Sequence, residues 1–246
     1  VLVDLAAVRV GPDGTRGPVW KEGDRPGVFS ARVLDDQNNT VLRIDRAYTV
    51  MPGTHSVSLF QHVHNESGRP LRVRFVQYGL SDLPPGAVNY GGDRRHLKLG
   101  YLLDPALDPS RQFVLASDFW FTHQDVLAAY ADTFTLWPNA RATQKNYTLS
   151  WLGQSSRHFG VALHPILDIS SGGPQNKAWS NVAVIDRLVL QRSDGRRQTE
   201  LDINVLRLTT PVLTIEPGKS HDLSMALFAG PLVREEIRSD PSAASL

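Results

Sequence analysis

The sequence predicts an all-β fold, economically built as a large sandwich of antiparallel sheets. Three observations carry this. Period-two alternation of apolar and polar residues recurs along most of the 246-residue chain. Turn-forming Gly, Pro, Asn and Asp separate the alternating segments. Helix chemistry is confined to two short stretches. The apolar fraction of 41% is ample for a core.

The strands are taken in order. "VLRIDRAYTV" (41–50) and "HSVSLFQHV" (55–63) come first, and Asn65-Glu66-Ser67-Gly68 then turns the chain into "LRVRFVQYGL" (71–80). "QKNYTLSWLG" (144–153), "HFGVALHPI" (158–166) and "NVAVIDRLVLQR" (181–192) follow, and Ser193-Asp194-Gly195 leads to "NVLRLTTPVLTI" (204–215). Glu216-Pro217-Gly218-Lys219 precedes "HDLSMALFAG" (221–230). With Gly11-Pro12-Asp13-Gly14 and Gly172-Gly173-Pro174 as further punctuation, fifteen or more strands are expected, in one domain over 1–246.

Two helices are expected. Thr122 and Asp125 resemble a capping box, with Phe121 and Val126 placed as a hydrophobic staple, which starts a helix over 122–131. "PLVREEIRSD" (231–240) has Pro231 where a first helical turn tolerates it, Glu235 and Glu236 early, and Arg238 late.

Composition narrows the function. Lys and Arg number 26 against 25 Asp and Glu, and the pairs Arg94-Arg95, Arg196-Arg197 and Arg72/Arg74 are scattered, so nucleic acid is not an expected partner. The absence of cysteine removes thiolate metal sites, disulfides and cysteine nucleophiles. No apolar run reaches the ~18 residues of a membrane span. Val1 is not an initiator methionine, so a piece of a longer chain is expected.

His62-x-His64 is the most conspicuous candidate site. Val57, Leu59 and Val63 are the apolar positions of that strand, so both histidines share the opposite face. Imidazoles at i and i+2 can hold zinc or copper, but a third ligand is needed, and Glu66 lies in the turn beyond. The plainer reading is a polar sheet face, and neither a metal nor a cofactor is expected. There is no GxSxG elbow, no phosphate loop in "YGGDRRHLKLGY", and no carboxylate pair of glycosidase type. Asn38-Asn39-Thr40, Asn65-Glu66-Ser67 and Asn146-Tyr147-Thr148 match the glycosylation pattern. The aromatics Phe119, Trp120, Phe121, Tyr130, Phe134, Trp137, Tyr147 and Trp151 crowd one region, as core packing or as a stacking platform.

Three stretches together resemble the periplasmic domain of the YidC membrane-protein insertase family. They are "YTVMPGTHSVSLFQHVHNESGRPLRVRFVQYGL" (48–80), "SWLGQSSRHFGVALHP" (150–165) and "PGKSHDLSMALFAGPLVREEI" (217–237). The order is that of the family: Pro52-Gly53, Gly68 and Pro70-Leu71 in the first, Trp151 and Phe159 in the second, Pro217-Gly218 and Gly230-Pro231 in the third. The resemblance implies a β-supersandwich of two large antiparallel sheets with a C-terminal helix. It implies a non-catalytic domain on the periplasmic side of the inner membrane, serving as scaffold or interaction module of an insertase and chaperone. The implied partners are the membrane-embedded part of the same chain, Sec translocon accessory subunits and nascent membrane proteins. Gly230, Pro231, Leu232 and Ile237 would couple the domain to that part: glycine ends the strand, proline starts the helix, and the two apolar residues dock it.

The alternative is a galactose-mutarotase-like protein that binds or epimerises sugars. His62, His64, His158 and Glu66 would then supply acid and base, and Trp120, Trp137 and Trp151 would stack on a pyranose.

Overall fold

The computed structural model describes residues 5, 9–10, 16–83, 95–102, 120–122, 133–166, 179–190 and 203–239. The chain divides into two compact units. One comprises Val1–Pro52, Val57–Val73 and Val212–Met225; the other comprises Gly53–Ser56, Arg74–Pro211 and Ala226–Leu246.

The architecture is all-β. In chain order the strands begin with β1 (Arg9–Val10), β2 (Arg16–Gly17), β3 (Lys21–Glu22), β4 (Val28–Leu34), β5 (Thr40–Val50) and β6 (Ser56–Asn65). Next come β7 (Leu71–Val73), β8 (Val76–Ser81), β9 (His96–Leu102), β10 (Trp120–Thr122) and β11 (Thr133–Trp137). A short helix α1 (Ala140–Gln144) precedes β12 (Thr148–Ser155), β13 (Phe159–His164), β14 (Val184–Leu190) and β15 (Ile203–Thr209). The chain continues through β16 (Leu213–Ile215), β17 (Ser220–Asp222) and β18 (Met225–Pro231) to helix α2 (Arg234–Ser239).

In the first unit β3, β4, β5, β6 and β17 pair antiparallel in that order, and β7 pairs with β16. Alternation does the sorting. Ala31, Leu42, Ile44 and Val63 are buried on one face, while Arg43 and His62 stand on the other. The β4–β5 loop is closed by the Asp35 carboxylate, which accepts from the backbone N–H groups of Gln37 and Asn39. Asn38 there takes φ 63°, a conformation Asn tolerates better than most residues.

In the second unit one sheet runs β10-β9-β12-β13-β18 and another β11-β14-β15-β8, all antiparallel. A Cβ on Gly79 of β8 would stand 3.2 Å from Leu163 of β13, so these two sheets are layered face to face. Leu152, Ile185 and Leu206 are fully buried between them.

The structure corrects three of the expected strands. Residues 71–80 break at Arg74-Phe75, so that β7 pairs with β16 and β8 with β15. Residues 204–215 break in the same way at Thr210-Pro211, where proline removes a ladder donor. The two breaks are tied together: Phe75 N–H donates to Thr210 Oγ1, and Thr210 N–H donates to the Phe75 carbonyl. Residues 221–230 divide at Leu223-Ser224 into β17 and β18.

The helices also differ from expectation. Thr122 closes strand β10, and the rest of the helix expected over 122–131 lies outside the described residues. Helix α1 was not expected; it is capped by Asn139, whose side chain accepts from Ala142 N–H at 2.8 Å. At the C-terminal end Pro231 is the last residue of β18, opposite Phe159, and not the first of a helix. Leu232 N–H still donates to the His158 carbonyl, so the extended chain persists past the proline and α2 starts only at Arg234.

Candidate functional site

The face of the first unit opposite its core is polar in consecutive rows. Register sets them. Arg32 of β4 lies opposite Arg43 of β5, which lies opposite His64 of β6, which lies opposite Ser220 of β17. The adjacent row runs Lys21, Ser30, Asp45, His62, Asp222. The next brings Ala47 opposite Phe60, a residue that is 39% exposed.

These side chains hold one another. Arg43 Nε donates to Glu66 Oε1 at 2.6 Å, and its Nη1 donates to Asp45 Oδ2 at 2.5 Å. Asp45 Oδ2 also lies 3.1 Å from His64 Nε2. Glu66, Arg43, Asp45 and His64 thus form one chain of contacts. The hydrogen bond to Glu66 raises the Arg43 pKa above its ordinary value, with help from the charge of Asp45 and against the effect of burial. His62 Nδ1 is 3.9 Å from Asp222 Oδ1, and the two imidazoles are 6.4 Å apart, centre to centre. Each histidine faces its own carboxylate, and among the described residues no group of three His, Asp or Glu is placed to hold a metal ion.

Chemically, the middle of this face offers guanidinium and imidazole donors beside carboxylate acceptors, with Arg43, Asp45, His64 and Glu66 oriented by one another. A carboxylate against one imidazole nitrogen fixes the ring and leaves the other nitrogen for proton transfer.

Sequence pattern alone brought out His62, His64 and Glu66. It missed Arg43, Asp45, Asp222 and Phe60. A signal existed: a hairpin closed near Pro52-Gly53 puts Asp45 opposite His62, and the alternation of "VLRIDRAYTV" sends Arg43 and Asp45 to the same face.

Other candidates take other roles. Trp137 and Trp151 are 6% and 7% exposed, so they pack inside and do not offer stacking platforms. A cleft of about 390 Å³ in the second unit, lined by Trp137, Trp179 and Tyr147 among others, likewise rests on indoles that are packed away. His158 is an exposed residue of the second unit, between β12 and β13. The triplet Asn65-Glu66-Ser67 is used structurally: the Asn65 amide donates to the carbonyls of Arg69 and Ile215, and its oxygen accepts from Ser67.

The residues expected to dock the C-terminal helix are gathered in the second unit. Ile237 packs against Ala162 and Phe228. Leu232 lies over Gly160, where a Cβ would meet it at 2.6 Å. Gly230 leaves room for the His55 ring, and His55 Nε2 reaches Glu236 Oε2 of α2 at 3.1 Å. Pro231 closes β18.

No family model and no curated protein matches the chain. Similar solved structures include a candidate aldose 1-epimerase from Klebsiella pneumoniae, at 9% identity and TM-score 0.43, covering 91% of this chain and 54% of that one. A galactose mutarotase related enzyme from Lactobacillus acidophilus is 8% identical with TM-score 0.48, over 85% of this chain and 70% of that one. A galactose mutarotase-like protein from Lactobacillus casei is 10% identical with TM-score 0.43, over 85% and 72%. The chain therefore spans about half the length of the Klebsiella protein. With every TM-score below 0.5, none of these similarities carries the functional reading.

They do correct an expectation. The resemblance to the YidC periplasmic domain is not sustained, since no model of that family matches and the similar structures are epimerase and mutarotase-like proteins. The insertase and chaperone role, the Sec translocon setting and the assignment as a non-catalytic domain fall with it.

Proposed function

We propose that the chain is a carbohydrate-binding β-sandwich protein and that its ligand lies on the outer face of β3–β6 and β17. The observation that carries this is the continuous chain Glu66–Arg43–Asp45–His64, with His62 and Asp222 beside it and the exposed Phe60 ring on the same face. Sugar hydroxyls donate and accept at once, and adjacent hydroxyls suit donors and acceptors already locked to each other. Phe60 offers an apolar surface for the C–H face of a pyranose.

A second reading, epimerisation at the anomeric carbon, is favoured by the His64–Asp45 contact. A base takes the proton of the anomeric hydroxyl as an acid protonates the ring oxygen and the C1–O5 bond opens. Rotation and reclosure, with the protons returned, give the other anomer. His64 and His62 are the two proton-carrying groups placed for this.

Calorimetric titration with a panel of mono- and oligosaccharides tests binding, and NMR of anomer exchange tests turnover. Binding that weakens about tenfold or more in His64→Ala and Asp45→Asn supports the assignment. A folded protein that binds no saccharide overturns it.

A further inference from the structure

We infer that the saccharide carries an anionic group, a carboxylate or a phosphate, received by Arg32 and Lys21 at the β3–β4 end of the polar face. This rests on the carbohydrate reading and names the ligand class.

The starting point is a register that sheet energetics disfavours. Arg32 and Arg43 stand directly opposite each other on one face, and like charges so placed repel. Arg43 is compensated by Asp45 and Glu66. Arg32 is exposed, and no ion pair or hydrogen bond of its guanidinium is found among the described residues. Lys21, also exposed, lies opposite Ser30, one position along the face from Arg32 on the same strand pair, and it too has no such partner among the described residues. Across the face, charge is thus compensated in the middle and left positive at one end. A structural role for Arg32 would be met by an acid opposite; here the opposite residue is a second arginine.

The spacing suits a single sugar. Adjacent strands are about 4.8 Å apart, so Arg32 is one strand from Asp45 and Arg43 and two from His64 and His62. A ring seated over Asp45 and His62, against Phe60, can turn an acidic substituent toward Arg32 and Lys21 while its hydroxyls keep the central network. Guanidinium pairs with carboxylate or phosphate through two parallel N–H···O bonds, and Lys21 adds a point charge.

The test compares glucose, glucuronate and glucose 6-phosphate in calorimetric titrations of the wild-type protein and of Arg32→Gln and Lys21→Gln. One charge-assisted contact gives the acidic ligands an advantage of about tenfold or more over glucose. Arg32→Gln removes most of that advantage, and added salt shrinks it. A preference for one acidic arm identifies carboxylate or phosphate as the group received. Equal affinity for all three ligands, unchanged by Arg32→Gln, overturns the inference and leaves the carbohydrate reading standing. No binding of any of the three or of the wider saccharide panel overturns both. Both substitutions are of exposed side chains, and a matching urea midpoint confirms that each variant is folded.

Discussion

His64 Nε2 lies 3.1 Å from Asp45 Oδ2 across the β5–β6 pair, and the same carboxylate oxygen accepts from Arg43. One carboxylate therefore orients both an imidazole and a guanidinium. Asp45→Asn removes the negative charge from between them. The side chains are about a third exposed, 31% for Asp45 and 30% for His64, so stability should change by about 0.5 kcal/mol or less. Saccharide affinity should fall about tenfold, because the donors lose their orientation. Paired urea denaturation and calorimetry separate the two effects.

Asn65 is 1% exposed, and its side chain holds four hydrogen bonds, to Arg69, Ile215 and twice to Ser67. Asn65→Ala leaves the carbonyls of Arg69 and Ile215 without this donor, so unfolding free energy should drop by about 2–4 kcal/mol. The midpoint of urea unfolding reads this directly.

Gly100 of β9 carries the Trp151 indole of β12 where its own Cβ would be. Gly100→Ala must push that ring aside in a packed sheet, at a cost of about 1–3 kcal/mol. Thermal unfolding with tryptophan fluorescence should show a lower midpoint and an altered native emission. An unchanged midpoint would show that Trp151 has another place to go.

The Asp35 carboxyl is held below its ordinary 3.8, first by the Asn39 backbone N–H and then by the Asn39 side chain. A depressed carboxylate stabilises above its unfolded value and loses that contribution as pH falls through the folded one. The difference in unfolding midpoint between wild type and Asp35→Ala should be full at neutral pH and shrink below 3.8. A difference that stays constant with pH would mean that the loop does not use the charged form.

The face of each residue was legible in the sequence, and the pairing of strands much less so. Alternation placed His62 and His64 opposite Val63 correctly, because a period of two admits only two faces. It could not show that "LRVRFVQYGL" changes sheets at Arg74-Phe75, because the partner that holds the break, Thr210, is distant in sequence. Pro211 marked the matching break but reads as a mere irregularity without its partner. Helix α1 carried its signal in Asn139, a good N-cap, while the Glu235-Glu236 pattern was right for α2 but Pro231 misled about where it begins. The network of the candidate site was hidden for the same reason as the pairing. Asp45 and His64 meet only once the hairpin register is known.

The central claim is that a saccharide sits on the face that presents His62 and His64. NMR of the histidine imidazole signals during titration with glucuronate tests it most directly. The account predicts that the His62 and His64 resonances shift in a saturable way while those of His158, in the second unit, and His221, opposite Val63 in the strand register, stay in place. Signals of His62 and His64 that remain still at high concentrations of every saccharide tested would contradict it.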